Sequence, residues 1–173
     1  IRTLIYRMKL WLNSASNVKI LGIDPGYDIV GWSVLCDGMK LVDYGFIKTS
    51  PSDPIEERLL QIHRSLDVII REYSPDSAAV EKLFFNNNAR SVMDVSKAIG
   101  VILLTLKLNS LPFHEYTPAQ VKQSVTGFGH AEKSQVKFVI EKLTGINSLK
   151  GPDDAVDSIG IALCHLMRSG ILR

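Results

Sequence analysis

Cysteine is scarce in this chain: two residues among 173, Cys36 and Cys164, each inside an apolar run. There is no CxxC pair and no cysteine–histidine spacing of the kind zinc uses, so neither a disulfide framework nor a structural zinc site holds the fold together. The two thiols read as small buried hydrophobes, and their sparing use fits a reducing, cytoplasmic setting. Long hydrophobic runs are missing too. The opening stretch IRTLIYRMKLWLNSASN is broken by Arg2, Arg7 and Lys9, which leaves too few apolar residues to span a bilayer and no uninterrupted core for a signal peptide. Internal repeats and low-complexity tracts are absent, which excludes solenoid and linker-dominated designs.

Nor is there a large excess of charge of one sign. The formal net charge is +2, and residues 1–17 hold three cations with no acid, so the rest of the chain carries a net −1. If the partner is a polyanion, positive charge must be gathered on one face, because total charge supplies no attraction. Residues 1–17 are read as an accessory or vector-derived segment, with Met8 as an alternative start, and residues 18–173 as one domain. That length is enough to bury a core without staples.

What is present is an alternation of elements. KILGID is a buried-strand run closed by Pro25-Gly26, and GWSVLC (31–36) and LVDYGFIKT (41–49) are two further strands around the hairpin signal Asp37-Gly38. Together they predict three antiparallel strands. Ser52, Asp53 and Pro54 read as a helix entrance, and Ile55, Leu59, Ile62, Leu66, Ile69 and Tyr73 recur at helical spacing until Ser74-Pro75-Asp76. SAAVEKLF is then a fourth strand, reached by a helical crossover and so parallel to one already in the sheet. A helix over about 89–109 follows, with a centre, GVILLTL, that is apolar on more than one face. Core packing and self-association both account for such a helix. A short strand LPFHEYT, a short helix opened by Thr117-Pro118, a helix over about 131–143 ended by Gly145, and a last helix over about 153–169 complete the chain.

Four acids stand out because they abut apolar runs: Asp24 in ILGIDPG, Glu81 in AAVEKLFF, and Asp154 and Asp157 in GPDDAVDSIGIAL. Parallel neighbouring strands would bring Asp24 and Glu81 to one sheet edge, and two acids three apart in a helix's first turn share a face at the positive end of its dipole. Carboxylates gathered in that way repel unless divalent cations offset them. Two Mg²⁺ ions would balance four acids and would point to phosphodiester hydrolysis. Each acid also has a purely structural use: Asp24 as a turn former, Glu81 as a solvated strand end, and Asp153, Asp154 and Asp157 as caps. The residues alone leave both uses open.

With ILGIDPG, VEKLFF, YTPAQVKQSVTGFGHAEKSQV and PDDAVDSIGIALCH in hand, the chain closely resembles the RuvC family of Holliday junction resolvases, in the ribonuclease H-like superfamily, from about Lys19 to Leu166. GIDPG alone is weak, since sugar kinases and actin-like ATPases share it; the later motifs carry the resemblance. It implies an α/β fold with a mixed five-stranded sheet, three antiparallel strands then two parallel ones, flanked by helices. It also implies a metal-dependent endonuclease that resolves four-way DNA junctions in recombination and repair, using Mg²⁺ or Mn²⁺, two ions per site, and working as a homodimer alongside branch-migration proteins. By position, Asp24, Glu81, Asp154 and Asp157 match the family's metal-binding catalytic acids, with Asp153 ambiguous beside Asp154. Phe84 matches an aromatic that contacts bases near the crossover, with Phe85 beside it. Lys122 and Lys133 match basic residues near DNA and the scissile phosphate, Lys133 with a catalytic part. His165 is read as structural, and Trp11 and Trp32 receive no role. Two rivals remain at this point: a junction-binding scaffold without catalysis, and an actin-like phosphotransferase, for which no second nucleotide-binding half is visible.

Overall fold

The first apolar run forms strand β1 (Lys19–Asp24), with its four central residues buried. The computed structural model describes residues 18–82 and 89–170. β1 pairs antiparallel with β2 (Ile29–Cys36), and β2 pairs antiparallel with β3 (Lys40–Lys48). The Asp37-Gly38 connection is longer than a two-residue hairpin. Asp37–Met39 form one 3₁₀ turn in which Gly38 (φ 77°) and Met39 (φ 59°) are left-handed, and a bulge shifts the register between Val34 and Leu35. The extra turn residue has a use in packing: the Met39 side chain is buried in the core.

Helix α1 (Ile55–Tyr73) begins directly after Pro54, and no side chain caps it. Ser52 and Asp53 therefore do not close the helix end as their types suggest; the Ser52 hydroxyl lies 2.7 Å from that of Ser50. Glu56 and Glu57 occupy the first turn, where the helix dipole favours them. The predicted ladder is the buried face, with Ile62, Leu66 and Ile69 inside. Arg58 is also buried, because its guanidinium lies 3.6 Å from the centre of the Tyr27 ring, donates to Thr49 Oγ1 at 2.9 Å, and pairs with Asp28. These contacts tie α1 to the turn that follows Asp24.

The crossover through α1 sets β4 (Ser77–Glu81) parallel to β1, and a second crossover through α2 (Ala89–Leu108) sets β5 (Phe113–Tyr116) parallel to β4. The sheet order is β3-β2-β1-β4-β5, the predicted antiparallel trio extended by two parallel strands. β4 and β5 are shorter than their apolar runs. Side chains alternate across β1: Leu21 and Ile23 face α1 and α2, whose Ile62, Leu66, Ile102 and Leu106 complete one core. Ile20 faces the other layer, made by α3 (Pro118–Thr126), α4 (Lys133–Thr144) and α5 (Asp153–Arg168). Thr117 and Gln120 form a reciprocal capping box at the start of α3. Among the described residues, no helix is long and apolar enough to cross a membrane. Residues 1–17, including Trp11, lie outside the described residues.

Candidate active site

Asp24 and Glu81 end adjacent parallel strands. The last registered pair between β1 and β4 is Ile23 with Val80, so the next residue of each strand is an acid. Helix α5 reaches the same edge because two glycines let its backbone lie directly on the sheet. A Cβ on Gly31 would sit 1.9 Å from the Asp154 carbonyl oxygen, and one on Gly22 would sit 2.2 Å from that of Ser158. Gly31 is also the β2 partner of Asp24. The first turn of α5, with Asp153 and Asp154, and Asp157 just beyond it are thus brought to the strand end that carries Asp24.

The result is one cavity of about 360 Å³ whose lining includes Asp24, Glu81, Asp153, Asp154 and Asp157 together with Lys122 and Lys133. Lys133, the first residue of α4, reaches across with Nζ at 3.3 Å from Asp157 and 3.4 Å from Asp153. Asp153 is therefore part of the same charge cluster, although its side chain is 80% exposed. It meets the lysine from outside, whereas Asp157 meets it from within.

The electrostatics of this cavity are strained. Burial, then the nearby Glu81, Asp157 and Asp154 charges, push the Asp24 carboxyl up to about 8, with Lys133 acting against the rise. Burial and Asp157 push Glu81 up to about 7, opposed by Lys133 and Lys122. Burial raises Asp157 as well, again against the pull of Lys133. For Lys133 burial acts downward, but Asp157 and Asp153 outweigh it and hold the ammonium above its ordinary value. One lysine does not neutralise this many carboxylates. A site that leaves acids poised between charge states at neutral pH is a site that favours added cations.

The donor set fits such a cation: all oxygen, all carboxylate, suited to Mg²⁺ or Mn²⁺ rather than to a soft metal. Among the described residues, no three Asp, Glu, His or Cys side chains are already drawn together to hold an ion. Uncompensated carboxylates repel one another, and Lys133 stands between two of the acids. The cavity thus provides the ligands on rigid elements, while the last approach of the side chains depends on opposing charge.

Of the residues singled out in the sequence, Asp24, Glu81, Asp154, Asp157, Lys122 and Lys133 share this cavity. Phe84 and Phe85 lie outside the described residues. His165 is distant from the acids and buried: Tyr116 Oη lies 2.8 Å from its Nδ1 and Ser77 Oγ 3.1 Å from its Nε2. Trp32 tilts against Tyr73 at 5.7 Å. Sequence reasoning missed Gly22 and Gly31 as the close-approach points that seat α5; small residues inside two apolar strands were the available signal. It also missed Arg58, whose charge reads locally as part of a solvated helix face.

A three-strand antiparallel unit extended by two parallel strands, with acids from two strand ends and one helix start in a single cavity, defines an α/β protein of the ribonuclease H-like fold with an acidic cavity at one sheet edge. The family model for crossover junction endodeoxyribonuclease RuvC matches residues 20–165, and the chain belongs to that family. It is 46% identical over 149 residues to the crossover junction endodeoxyribonuclease RuvC of Petrotoga mobilis, covering 84% of this chain and 91% of that one. With the Syntrophomonas wolfei relative the identity is 43% over 152 residues, covering 86% and 88%. Among solved structures, Thermus thermophilus RuvC in complex with a Holliday junction substrate superposes with a TM-score of 0.84 at 30% identity, covering 89% of this chain and 96% of that one. The yeast mitochondrial Holliday junction resolvase, at 14% identity and a TM-score of 0.64 over 95% of this chain and 87% of that one, shares the fold.

Proposed function

We propose that this chain resolves four-way DNA junctions by metal-dependent hydrolysis of phosphodiester bonds in paired strands, during recombination and repair. The observation that carries the reading is the single cavity in which Asp24, Glu81, Asp154 and Asp157 face Lys122 and Lys133, in a chain of the RuvC family. Those four acids would hold two Mg²⁺ ions, with Mn²⁺ able to replace them. Bound there, the ions would offset the carboxylate charge, acidify an attacking water and stabilise the leaving oxygen.

The chain's own residues do the rest. Asp24 and Glu81, on adjacent strand ends, keep two acceptors at a constant separation, because neither strand can shift without breaking the β1–β4 ladder. Lys133, paired with Asp157 and Asp153, would be available to the phosphate, and to the negative charge that develops on it, when cations balance those acids. Lys122, half-buried on α3, adds a second phosphate contact. Phe84, just beyond β4, supports an unpaired base at the distorted crossover.

The same reading makes the protein a homodimer, since two equivalent sites suit a two-fold symmetric junction. Helix α2 supports this: Met93, Leu104 and Leu108 are 65%, 57% and 65% exposed. They recur at helical spacing with Gly100, where an added Cβ would meet nothing within 4 Å. That is a shallow, mainly apolar stripe, with Lys97 between Met93 and Gly100, of the kind a second helix covers. Branch-migration proteins are the expected partners and the cytoplasm the expected location, with residues 18–173 acting as one nuclease domain and residues 1–17 as an accessory or vector-derived segment. The test compares a synthetic four-way junction with linear duplex, in Mg²⁺, in Mn²⁺ and in chelator. Paired incision of the junction alone, and only with metal, is expected; metal-independent cutting, or equal cutting of duplex, would overturn the reading.

A further inference from the structure

Where α3, the loop after it and α4 meet there is a second cavity, of about 320 Å³, which shares no lining residue with the first. Its lining includes Phe128, Phe138, Ala131 and Val139, with Ser134 and Gln135 as polar members. Phe128 is 60% exposed and Phe138 52% exposed. Two large aromatics flanking one recess are a costly surface to leave open to water, and such a surface marks a binding site more often than scattered exposed residues do.

The loop that presents Phe128 is held in place. Gly127 takes a left-handed φ of 79° and its N–H closes α3 on the Gln123 carbonyl. Gln123 Nε2 donates to the Gly127 carbonyl at 2.9 Å, Thr126 Oγ1 accepts the Phe128 N–H at 3.1 Å, and the Ala131 N–H donates to the Phe128 carbonyl at 3.2 Å. His130 meets the Phe128 ring edge-on at 5.8 Å. An aromatic fixed in this way loses little conformational freedom when it takes up a ligand. On the other wall Lys142 Nζ lies 5.4 Å from the centre of the Phe138 ring, so a cation is already beside the second aromatic.

Charge decides between occupants. From Pro118 to Lys150 the chain has five lysines, at 122, 133, 137, 142 and 150, against Glu132 and Glu141, a net of +3 in a domain that is otherwise acidic. Charge of the sign that a polyanion attracts is thus concentrated in this stretch of the chain. The residues of the recess adjoin the two lysines of the acid-lined cavity in sequence: Ser134 follows Lys133, and Thr126 Oγ1 donates to the Lys122 carbonyl at 2.8 Å. Gln135 Oε1 accepts the Glu132 N–H at 2.9 Å, and its amide NH₂ makes no hydrogen bond among the described residues. Aromatic faces, an amide donor, a hydroxyl and the Lys142 ammonium beside Phe138 are the chemistry of a nucleobase with its phosphate.

We propose that the recess between Phe128 and Phe138 is a second nucleic-acid contact, which stacks an unpaired base of a strand leaving the active site. This rests on the junction-resolving reading above. The test uses the full chain carrying Asp24→Asn, so that bound DNA is not cut, and measures junction affinity by fluorescence anisotropy. Photocrosslinking from single iodouracils placed through the crossover and arms then locates the contact. Both phenylalanines are exposed, so their truncation leaves the core intact, which an unchanged melting temperature verifies. Phe128→Ala with Phe138→Ala is expected to weaken junction binding roughly five- to a hundredfold and to abolish a crosslink to the 128–138 segment. Tyr at both positions is expected to restore both. Unchanged affinity and crosslinks, or rescue by Leu as complete as by Tyr, would overturn the proposal. So would loss of binding to a protein partner alone, which would make the recess a peptide dock. Wild-type chain assayed in parallel separates the two readings: if it cuts junctions while the recess variants bind normally, only the recess fails.

Discussion

Replacing Asp24 with Asn should abolish cleavage and at the same time stabilise the metal-free protein. Burial and its acidic neighbours hold the Asp24 carboxyl at about 8 against an ordinary 3.8. Because the native value is raised, the native state binds the proton more tightly than the unfolded chain does. This group's contribution is therefore fully present below about pH 4 and is lost as pH rises through about 8. A shift of about four pKa units, at about 1.36 kcal/mol each, corresponds at pH 8 to on the order of 5 kcal/mol. Side-chain relaxation and water entry reduce it, and the Asn amide brings an imperfectly matched donor worth about 1 kcal/mol. A gain of about 2–3 kcal/mol at pH 8 in chelator remains, or roughly 5–10 °C in melting temperature for a domain of this size. At pH 5 the same arithmetic leaves about 1 kcal/mol or less. Thermal and urea melts of both proteins in chelator at the two pH values measure the gap directly. Adding Mg²⁺ should raise the wild-type melting temperature much more than that of the variant, because ligand bound only to the native state stabilises it by mass action. A variant that melts at or below wild type at pH 8, or a gap that does not widen from pH 5 to pH 8, would refute the account of the cavity as a strained acidic cluster.

Gly31→Ala would place a methyl 1.9 Å from the Asp154 carbonyl oxygen; α5 must shift, with about 1–3 kcal/mol lost in urea melts and junction cleavage falling more steeply than junction binding. His165 is held neutral, down to about 4, by burial and by His114, so its contribution is present above its ordinary 6.5 and is lost as pH falls through about 4. Between about pH 4 and 6.5 this gain with rising pH runs against the loss from Asp24 and Glu81, so metal-free wild type should lose stability only gradually there, and His165→Gln should make the fall with rising pH steeper in melts from pH 4 to 7. Leu104→Glu on the exposed stripe of α2 should shift the protein from dimer to monomer in sedimentation and leave junctions nicked in one strand rather than cut in two; a dimer that persists would place the interface elsewhere.

Local physics made much of this molecule legible from the residues in order. The apolar run of β1, the ladder of α1 and the helix opening at Thr117-Pro118 each depend on neighbours within a few positions, and each stands where its pattern puts it. The strand directions followed too, because a helical crossover between strands imposes parallel pairing. The identity of the acids was visible for a related reason: a charged residue against an apolar run is conspicuous wherever the chain goes. Local chemistry misjudged only short-range details, such as the entrance to α1, where Pro54 stands at the cap position and neither Ser52 nor Asp53 supplies a capping bond.

Whether those acids form a site was decided by tertiary structure. Asp24 and Asp154 are separated by most of the chain. What brings them together is the absence of side chains at Gly22 and Gly31, which lets one helix backbone rest on two strands. Asp153 joins the cluster only because α4 starts within reach of it, and Arg58 is buried only because Tyr27, Thr49 and Asp28 surround its guanidinium. Periodicity and capping are properties of adjacent residues, whereas burial, charge balance and close approach belong to pairs far apart in sequence. The chain by itself determined which groups were available for metal-dependent chemistry; the packing of α5 and α4 against the sheet edge determined that they share one cavity.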